Sequence, residues 1–298
     1  MQSQVIVPLD GSTYAEAILP HALFFAQQTQ SVLTLLRVIL PPGEPVYAVP
    51  YIPDDWYEGE VSWTKSYLTA LATRLQAQGA RVQTQHVEGT FAGAAIESYA
   101  QQHSDVQLIA IATHGRGAGG RLLLGNVAGD VFASTPTSLL LLHPSKDEPI
   151  PPGPIAPASY QTIVVPLDGT VLSERVLERA TALALDCNAS ILLVAVLPTH
   201  LLEEEILADD IGEPLQKVQA HEEMKRADFL ADQAEQLRTS TRLTVQTAIA
   251  DGDPEAFIEG FFGKNQQNLL IVATREQAEH KVMRFLHHSN VPVLFVAL

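Results

Sequence analysis

The sequence contains two copies of one segment, and this repeat restricts the possible folds more than any other feature. Val5–Ser12 aligns with Ile163–Thr170 without a gap, and five consecutive residues, Val-Pro-Leu-Asp-Gly, are identical in the two. Further along each copy, Leu108–Thr113 aligns with Leu269–Thr274. A repeat that spans both halves of a 298-residue chain indicates two domains of one fold, each of ordinary domain size.

A proline-rich stretch separates the two copies. Residues 146–159 contain five prolines, which are unfavourable in a helix interior and in a central strand. We therefore predict a first domain over residues 1–145, a linker over 146–159 and a second domain over 160–298.

Short apolar runs alternate with longer helix-periodic stretches in each half. In the first half this pattern predicts helices near 13–29, 61–78, 92–103 and 126–134, and strands near 4–8, 32–39, 81–87, 106–112 and 138–143. In the second half it predicts a long helix near 203–238, and strands near 162–167, 190–197, 243–249, 268–273 and 293–297. The alternation is typical of βαβ units and predicts an α/β fold of two tandem doubly wound, mostly parallel five-stranded sheets with flanking helices, a Rossmann-like architecture.

Charge and composition exclude several classes of function. The formal net charge of −16 disfavours binding to nucleic acid, whose phosphates dominate its affinity for proteins. The single cysteine, Cys187, excludes an intrachain disulfide and a cysteine-rich zinc site, and no His-Glu-x-x-His metal motif occurs. The sequence has no apolar run long enough to span a membrane, and the N-terminus has neither a basic segment nor a signal-length apolar run, so we expect a cytoplasmic protein with no metal-binding residues of its own and no membrane contact.

A glycine-rich loop follows the fourth predicted strand. Five glycines fall within the eleven residues from Gly115 to Gly125, and a helix is predicted to begin near Asn126. Glycines let backbone amides approach an anion closely, and a helix N-terminus adds a positive dipole. The loop therefore predicts a phosphate site, to which Arg121 could add a side-chain donor. In doubly wound folds this crevice lies at the carboxyl ends of the strands.

Two segments are distinctive: Val-Pro-Leu-Asp-Gly-Ser at the first strand, and Ala-Thr-His-Gly-Arg-Gly…Arg-Leu-Leu-Leu-Gly-Asn-Val-Ala after the fourth. Both resemble the universal stress protein family, in its tandem two-domain form. In nucleotide-binding members of that family, three spaced glycines and a hydroxyl residue of this loop hold ATP phosphates. The same frame reads Ala112, Gly115, Gly125 and Asn126 here, so the first glycine and the hydroxyl are replaced. We expect Asn126 to cap the helix and to donate through its amide.

The resemblance implies a nucleotide site in the first domain. Asp10 and Val38 match family positions that contact the adenine and ribose, although a turn-forming aspartate and a core valine are the alternative interpretations of these two residues. The complete predicted site comprises Asp10, Gly11, Val38, Ala112, Gly115, Arg121, Gly125, Asn126 and Val127.

The second half lacks the equivalent loop. The chain from Thr274 to Pro292 is five residues shorter than that from Thr113 to Pro136, and residues 275–289 contain no glycine and have the pattern of a helix. We therefore expect no phosphate site in the second domain, although Asp168 and Gly169 are retained. In the family that the sequence resembles, fifth strands pair across a dimer, so residues 138–143 and 293–297 could pair within this chain as a pseudo-dimer, with a homodimer left open.

The functional expectation is a stress-response signalling module that binds one adenine nucleotide per chain, ATP with or without Mg²⁺, and acts on an unknown protein partner. We do not expect an enzyme beyond slow ATP hydrolysis, because no general base or pair of metal-holding carboxylates is evident beyond Asp10. The main alternative is an interaction or scaffold protein with no nucleotide in either domain. An enzyme on the same fold is a third possibility. The aromatic residues Tyr47, Tyr51, Trp56 and Tyr57 could cover the crevice or pack between domains.

Overall fold

The structure, a computed structural model, describes residues 2–41, 55–113, 125–144, 152–167, 170–196, 215–250, 267–272 and 290–297. The chain divides into two units, each with five strands. The first unit runs from residue 1 to 159 with residue 297, and the second from residue 160 to 296 with residue 298.

In the first unit, five parallel strands form a sheet with helices on both faces. The strands are β1 (Gln4–Pro8), β2 (Val32–Ile39), β3 (Val82–Glu88), β4 (Val106–Ala112) and β5 (Ser138–Leu142). The helices are α1 (Thr13–Glu16), α2 (Leu19–Gln28), α3 (Trp56–Gln76), α4 (Ala92–Gln102) and α5 (Asn126–Ser134). The strand order is β3-β2-β1-β4-β5, and each adjacent pair is parallel. This order reverses direction between β1 and β4, which is the doubly wound arrangement that the sequence predicts.

The second unit repeats this topology. Its strands are β6 (Thr162–Leu167), β7 (Ser190–Val196), β8 (Val245–Ala250), β9 (Asn268–Val272) and β10 (Val293–Phe295), and its described helices are α6 (Val171–Cys187) and α7 (Leu215–Thr241). The order is β10-β9-β6-β7-β8, again parallel throughout. The tandem α/β prediction is therefore confirmed.

The central strands of each sheet form the hydrophobic core. All five residues of β1 and all five of β9 are buried, as expected for parallel strands that have helices on both faces. In contrast, β3 is an edge strand, and most of its side chains are exposed or partly exposed.

One predicted helix is divided in two. The sequence pattern predicts a single helix over residues 13–29, whereas the structure ends α1 at Glu16 and starts α2 at Leu19. Pro20 gives the reason: a proline has no amide hydrogen to donate to the carbonyl four residues earlier, and its ring would clash with that carbonyl. Pro20 is instead accommodated in the first turn of α2. The predicted long helix at 203–238 is described from Leu215 and continues to Thr241.

Residues 152–159, the described part of the predicted linker, pack on the first unit. The Ala158 amide donates to the Pro20 carbonyl at 2.8 Å, and the Arg74 Nε donates to the Gly153 carbonyl at 2.6 Å. This stretch contains neither helix nor strand, as its prolines predict. Among the described helices of both units, none is long and apolar enough to cross a membrane.

Candidate functional site

The turn after β1 presents an aspartate at the carboxyl edge of the first sheet. The Asp10 Oδ1 accepts hydrogen bonds from the Ser12 amide at 2.9 Å and from the Ser12 hydroxyl at 2.6 Å. Between them, Gly11 has a φ of +83°, a conformation that favours glycine. The Ser12 hydroxyl also accepts from the Ala15 amide at 3.1 Å and caps α1. The turn that the aspartate and glycine predict is therefore present, and it holds Asp10 partly exposed.

The end of β2 lies beside this turn. The Leu9 amide donates to the Leu36 carbonyl at 2.8 Å, so the chain leaving β1 stays paired with β2 close to Val38. The partly buried Val38 faces the turn after β3, because a Cβ added to Gly89 would lie 3.6 Å from Val38 Cγ1. Gly89 itself is held by its amide, which donates to the Ile39 carbonyl at 3.3 Å.

Thr113 anchors both ends of the glycine-rich loop. Its amide donates to the Leu142 carbonyl of β5 at 2.8 Å, and its carbonyl accepts from the Gly125 amide at 2.7 Å. Its hydroxyl lies 3.0 Å from His143 Nδ1, and the residue is only 1% exposed. The loop that begins at residue 114 therefore starts and ends at one buried residue, directly after β4.

Helix α5 begins where the loop closes. Gly125 is the N-cap residue, with φ −60° and ψ 150°, and Asn126 is the first helical residue. The prediction that Asn126 caps this helix is wrong: the chain is already extended at Gly125, so Asn126 has entered the helix and the cap position has no side chain. Gly125 therefore offers no side-chain acceptor to the first amides of α5, which suits this helix end to an external acceptor.

A close approach of two helices fixes the position of α5. A Cβ added to Gly93 of α4 would lie 2.5 Å from Asp130 Cβ, which is closer than packed side chains approach. The backbones of α4 and α5 therefore come together at Gly93 as only a glycine allows. This contact sets where the N-terminus of α5 points.

The structure brings most of the predicted site residues to one edge. Asp10 and Gly11 follow β1, Val38 lies near the end of β2, and Ala112 ends β4, while Gly125, Asn126 and Val127 start α5. Helix α1 contacts β4, so the Asp10 turn lies next to the base of the glycine-rich loop. Gly115 and Arg121 lie outside the described residues, as do Tyr47, Tyr51, Asp168, Gly169 and residues 275–289.

Of the four aromatic residues that could cover the crevice, Trp56 and Tyr57 are described, and both lie at the start of α3. Trp56 is partly exposed, and the Tyr57 hydroxyl donates to Glu88 Oε1 at the end of β3. This hydrogen bond and the nearby carboxylate raise the pKa of Tyr57.

The start of α5 suits an anion. Backbone amides at the α5 N-terminus and a positive helix dipole favour a phosphate. Within the described ranges, no group of three His, Cys, Asp or Glu side chains is placed to hold a metal ion.

Sequence reasoning did not assign a role to Thr113 or Gly93. Thr113 could have been found, because it ends the fourth-strand segment in both copies, where Thr274 aligns with it. Gly93 has no comparable signal, since its importance comes from a contact with a helix more than thirty residues later in the chain.

Known proteins share this sequence pattern and fold. The sequence model of the Universal stress protein family matches the chain twice, at residues 1–143 and 159–297. A search of curated proteins found no match.

Among solved structures, a universal stress protein from Archaeoglobus fulgidus is 14% identical over 98% of this chain and 95% of its own, with a TM-score of 0.62. A protein of unknown function from Pseudomonas aeruginosa is 16% identical over 99% of this chain and 92% of its own, with a TM-score of 0.59. A universal stress protein solved in complex with cAMP covers 48% of this chain and 99% of its own at 23% identity, with a TM-score of 0.38.

Proposed function

This chain belongs to the universal stress protein family, and on that premise we propose that its first unit binds one adenine nucleotide, ATP, at the carboxyl edge of the sheet. The adenosine lies between the Asp10 turn and Val38, and the phosphates lie against the glycine-rich loop and the start of α5. The occupied and empty states differ in their affinity for a protein partner, which makes the chain a signalling module.

The observation that carries this proposal is the closed base of the glycine-rich loop. The Gly125 amide bonds to the Thr113 carbonyl at 2.7 Å, so the loop returns to β4 at the point where α5 begins. The two described ends of the loop thus meet at the amino end of α5, whose backbone amides can hold a phosphate. The Asp10 turn borders the same place and supplies a carboxylate for a ribose hydroxyl.

Binding rather than catalysis follows from the polar groups at this edge. Asp10 is the only carboxylate among the predicted site residues, and its Oδ1 accepts two hydrogen bonds from Ser12. Both bonds tie this oxygen to the turn, where it positions a ligand rather than activating water. Any hydrolysis of bound ATP is therefore slow.

Nucleotide retention tests this part of the proposal. The protein is incubated with an equimolar amount of ATP and Mg²⁺ at 25 °C, and the bound nucleotide is separated and identified by chromatography over several hours. We expect ATP to be recovered with the protein. Conversion of most of it to ADP within minutes would show an ATPase and would overturn the binding-module proposal.

A scaffold without nucleotide is the second candidate, and the loop itself favours it at two positions. Ala112 and Asn126 replace the glycine and the hydroxyl residue of the pattern described above. If the intact protein binds none of ATP, ADP and AMP, the scaffold candidate is the better one.

A further inference from the structure

Arg37 is a buried cation and the only charged residue of β2, one residue before Val38. It is 9% exposed, and its Nε donates to the hydroxyl of the fully buried Thr64 at 3.1 Å. Its guanidinium carbon lies 4.6 Å from the centre of the Trp63 ring, and a terminal nitrogen lies 3.6 Å from Glu60 Oε2. All three partners belong to α3, so Arg37 fixes the end of β2 to that helix.

Tyr67, one turn further along α3, extends these contacts toward the other side of the site. Its ring stacks on Trp63, with centres 5.2 Å apart and planes within 8°. Its hydroxyl donates to Glu16 Oε1 at 3.1 Å. Burial, then the charge of Glu16 and this hydrogen bond, and then the charge of Asp10 raise the pKa of the phenol well above its usual value, while Arg37 lowers it. The phenol is thus a neutral donor within electrostatic range of Asp10 and Arg37.

Glu16 connects Tyr67 to the Asp10 turn. It is the last residue of α1, the four-residue helix that starts directly after Ser12. A four-residue helix is far too short to be stable alone and depends on its tertiary contacts. The bond to Tyr67 and an ion pair with Arg74 at 3.9 Å attach the end of α1 to α3. Ser12 caps the beginning of α1 and binds Asp10, so the aspartate is linked to α3 through this short helix.

These contacts form a continuous series from Asp10 to β2. They pass from Asp10 through α1 to Tyr67 and Trp63 of α3, and end at Arg37, the neighbour of Val38. We propose that Tyr67 and Arg37 are positioning residues for the nucleoside end of the site, because through α3 they set the separation of Asp10 and Val38. This inference rests on the proposed function. It assigns no contact with the nucleotide to Tyr67 or Arg37, and it leaves the phosphate end to the glycine-rich loop.

The test compares Tyr67→Phe with the intact protein in titrations with ATP, ADP and AMP. Removing the phenol hydroxyl frees α1 without opening a cavity, so we expect the dissociation constant to rise about fivefold, by the same factor for all three nucleotides. A general loosening of the fold would instead weaken the longest ligand most, because ATP makes the most contacts. Tyr99→Phe is the matched control. Tyr99 is also buried in a helix, but it lies near the amino end of β4, stacked on His103, and should leave all three constants unchanged.

A second variant tests whether Tyr67 acts on the site through Glu16. Glu16→Ala should weaken binding at least as much, because it also removes the ion pair with Arg74. Adding Tyr67→Phe to Glu16→Ala should weaken binding no further, because the phenol then has no Glu16 acceptor left to lose. Unchanged constants in Tyr67→Phe, or additive losses in the double variant, would overturn this inference alone. Absence of binding to the intact protein would overturn the proposed function and this inference with it.

Discussion

At the scale of single residues, Gly11 is the position where the backbone most clearly determines the side chain. Its φ of +83° lies in the left-handed region, where a Cβ contacts the following carbonyl. It separates Asp10 from Ser12 and so allows the aspartate to turn back and accept both Ser12 hydrogen bonds. The Asp-Gly pair of the repeat is thus explained by the geometry of one turn.

We expect Gly11→Ala to destabilise the protein by about 1–2 kcal/mol, because alanine must adopt this left-handed conformation. The matched control is Gly59→Ala in the exposed part of α3, where an added Cβ meets nothing within 4 Å. That change should stabilise the helix by up to about 1 kcal/mol. Urea denaturation of both variants measures the difference, and equal stabilities would contradict the assigned turn.

The local part of the site could be predicted from the sequence, while its supporting contacts could not. The turn at Asp10 and Gly11 could be predicted because a turn depends on neighbouring residues. The repeat points to Thr113 as a position, but its bonds to residues 125, 142 and 143, like the bond from Tyr67 to Glu16, appear only once distant segments meet. Arg37 is an intermediate case, since a charge within an apolar strand indicates a buried partner without identifying it.

At the scale of elements, the position of α5 depends on its contact with α4. The two helices meet at Gly93, where an added Cβ would lie 2.5 Å from Asp130 Cβ and 3.0 Å from Asp130 Oδ2. The β-carbon cannot rotate away, so a side chain at 93 must push α5 outward. The N-terminus of α5, which carries the proposed phosphate contacts, would move with it.

Gly93→Ala is therefore expected to cost about 1–3 kcal/mol of stability through overpacking and to weaken ATP binding. The reason is steric, so Gly59→Ala again serves as the control in a helix without the close contact. Thermal unfolding and an ATP titration measure the two effects. A Gly93→Ala protein with the stability and ATP affinity of the control would contradict the packing described for α4 and α5.

The helices show why element boundaries are harder to predict than elements. Apolar periodicity continues from residue 13 to 29 and hides the break before Pro20, which becomes visible only when the hydrogen bond that Pro20 cannot make is considered. Asn126 is a good capping residue by type, yet the chain enters the helix one residue earlier. In both cases a local preference was outweighed by backbone geometry.

At the scale of the whole molecule, the repeat predicts the topology of both units but not their difference in function. Each unit has five parallel strands in the same order and buries its own set of apolar side chains. Only the first has the glycine-rich loop in its sequence. Pairing of the fifth strands within the chain, and the oligomeric state, stay predictions.

This division predicts an unequal response to ligand during thermal unfolding. With two separate cores we expect two transitions in scanning calorimetry, and ATP at about a hundred times its dissociation constant should add about 2.7 kcal/mol to one of them. Gly93→Ala should lower that same transition, because Gly93 belongs to the first unit. A shift of the other transition by ATP would place the nucleotide in the second unit and contradict the assignment.

The most direct test of the central claim is an isothermal titration with ATP and Mg²⁺ of the intact protein, Gly125→Val and Gly59→Val. Gly125 has a φ of −60°, which every residue adopts, so valine at this position obstructs the approach of a ligand to the α5 amides rather than straining the backbone. We predict one site per chain in the intact protein and in Gly59→Val, and no binding to a Gly125→Val protein with unchanged circular dichroism. Undiminished binding to Gly125→Val, two sites per chain, or no binding to the intact protein would contradict the account.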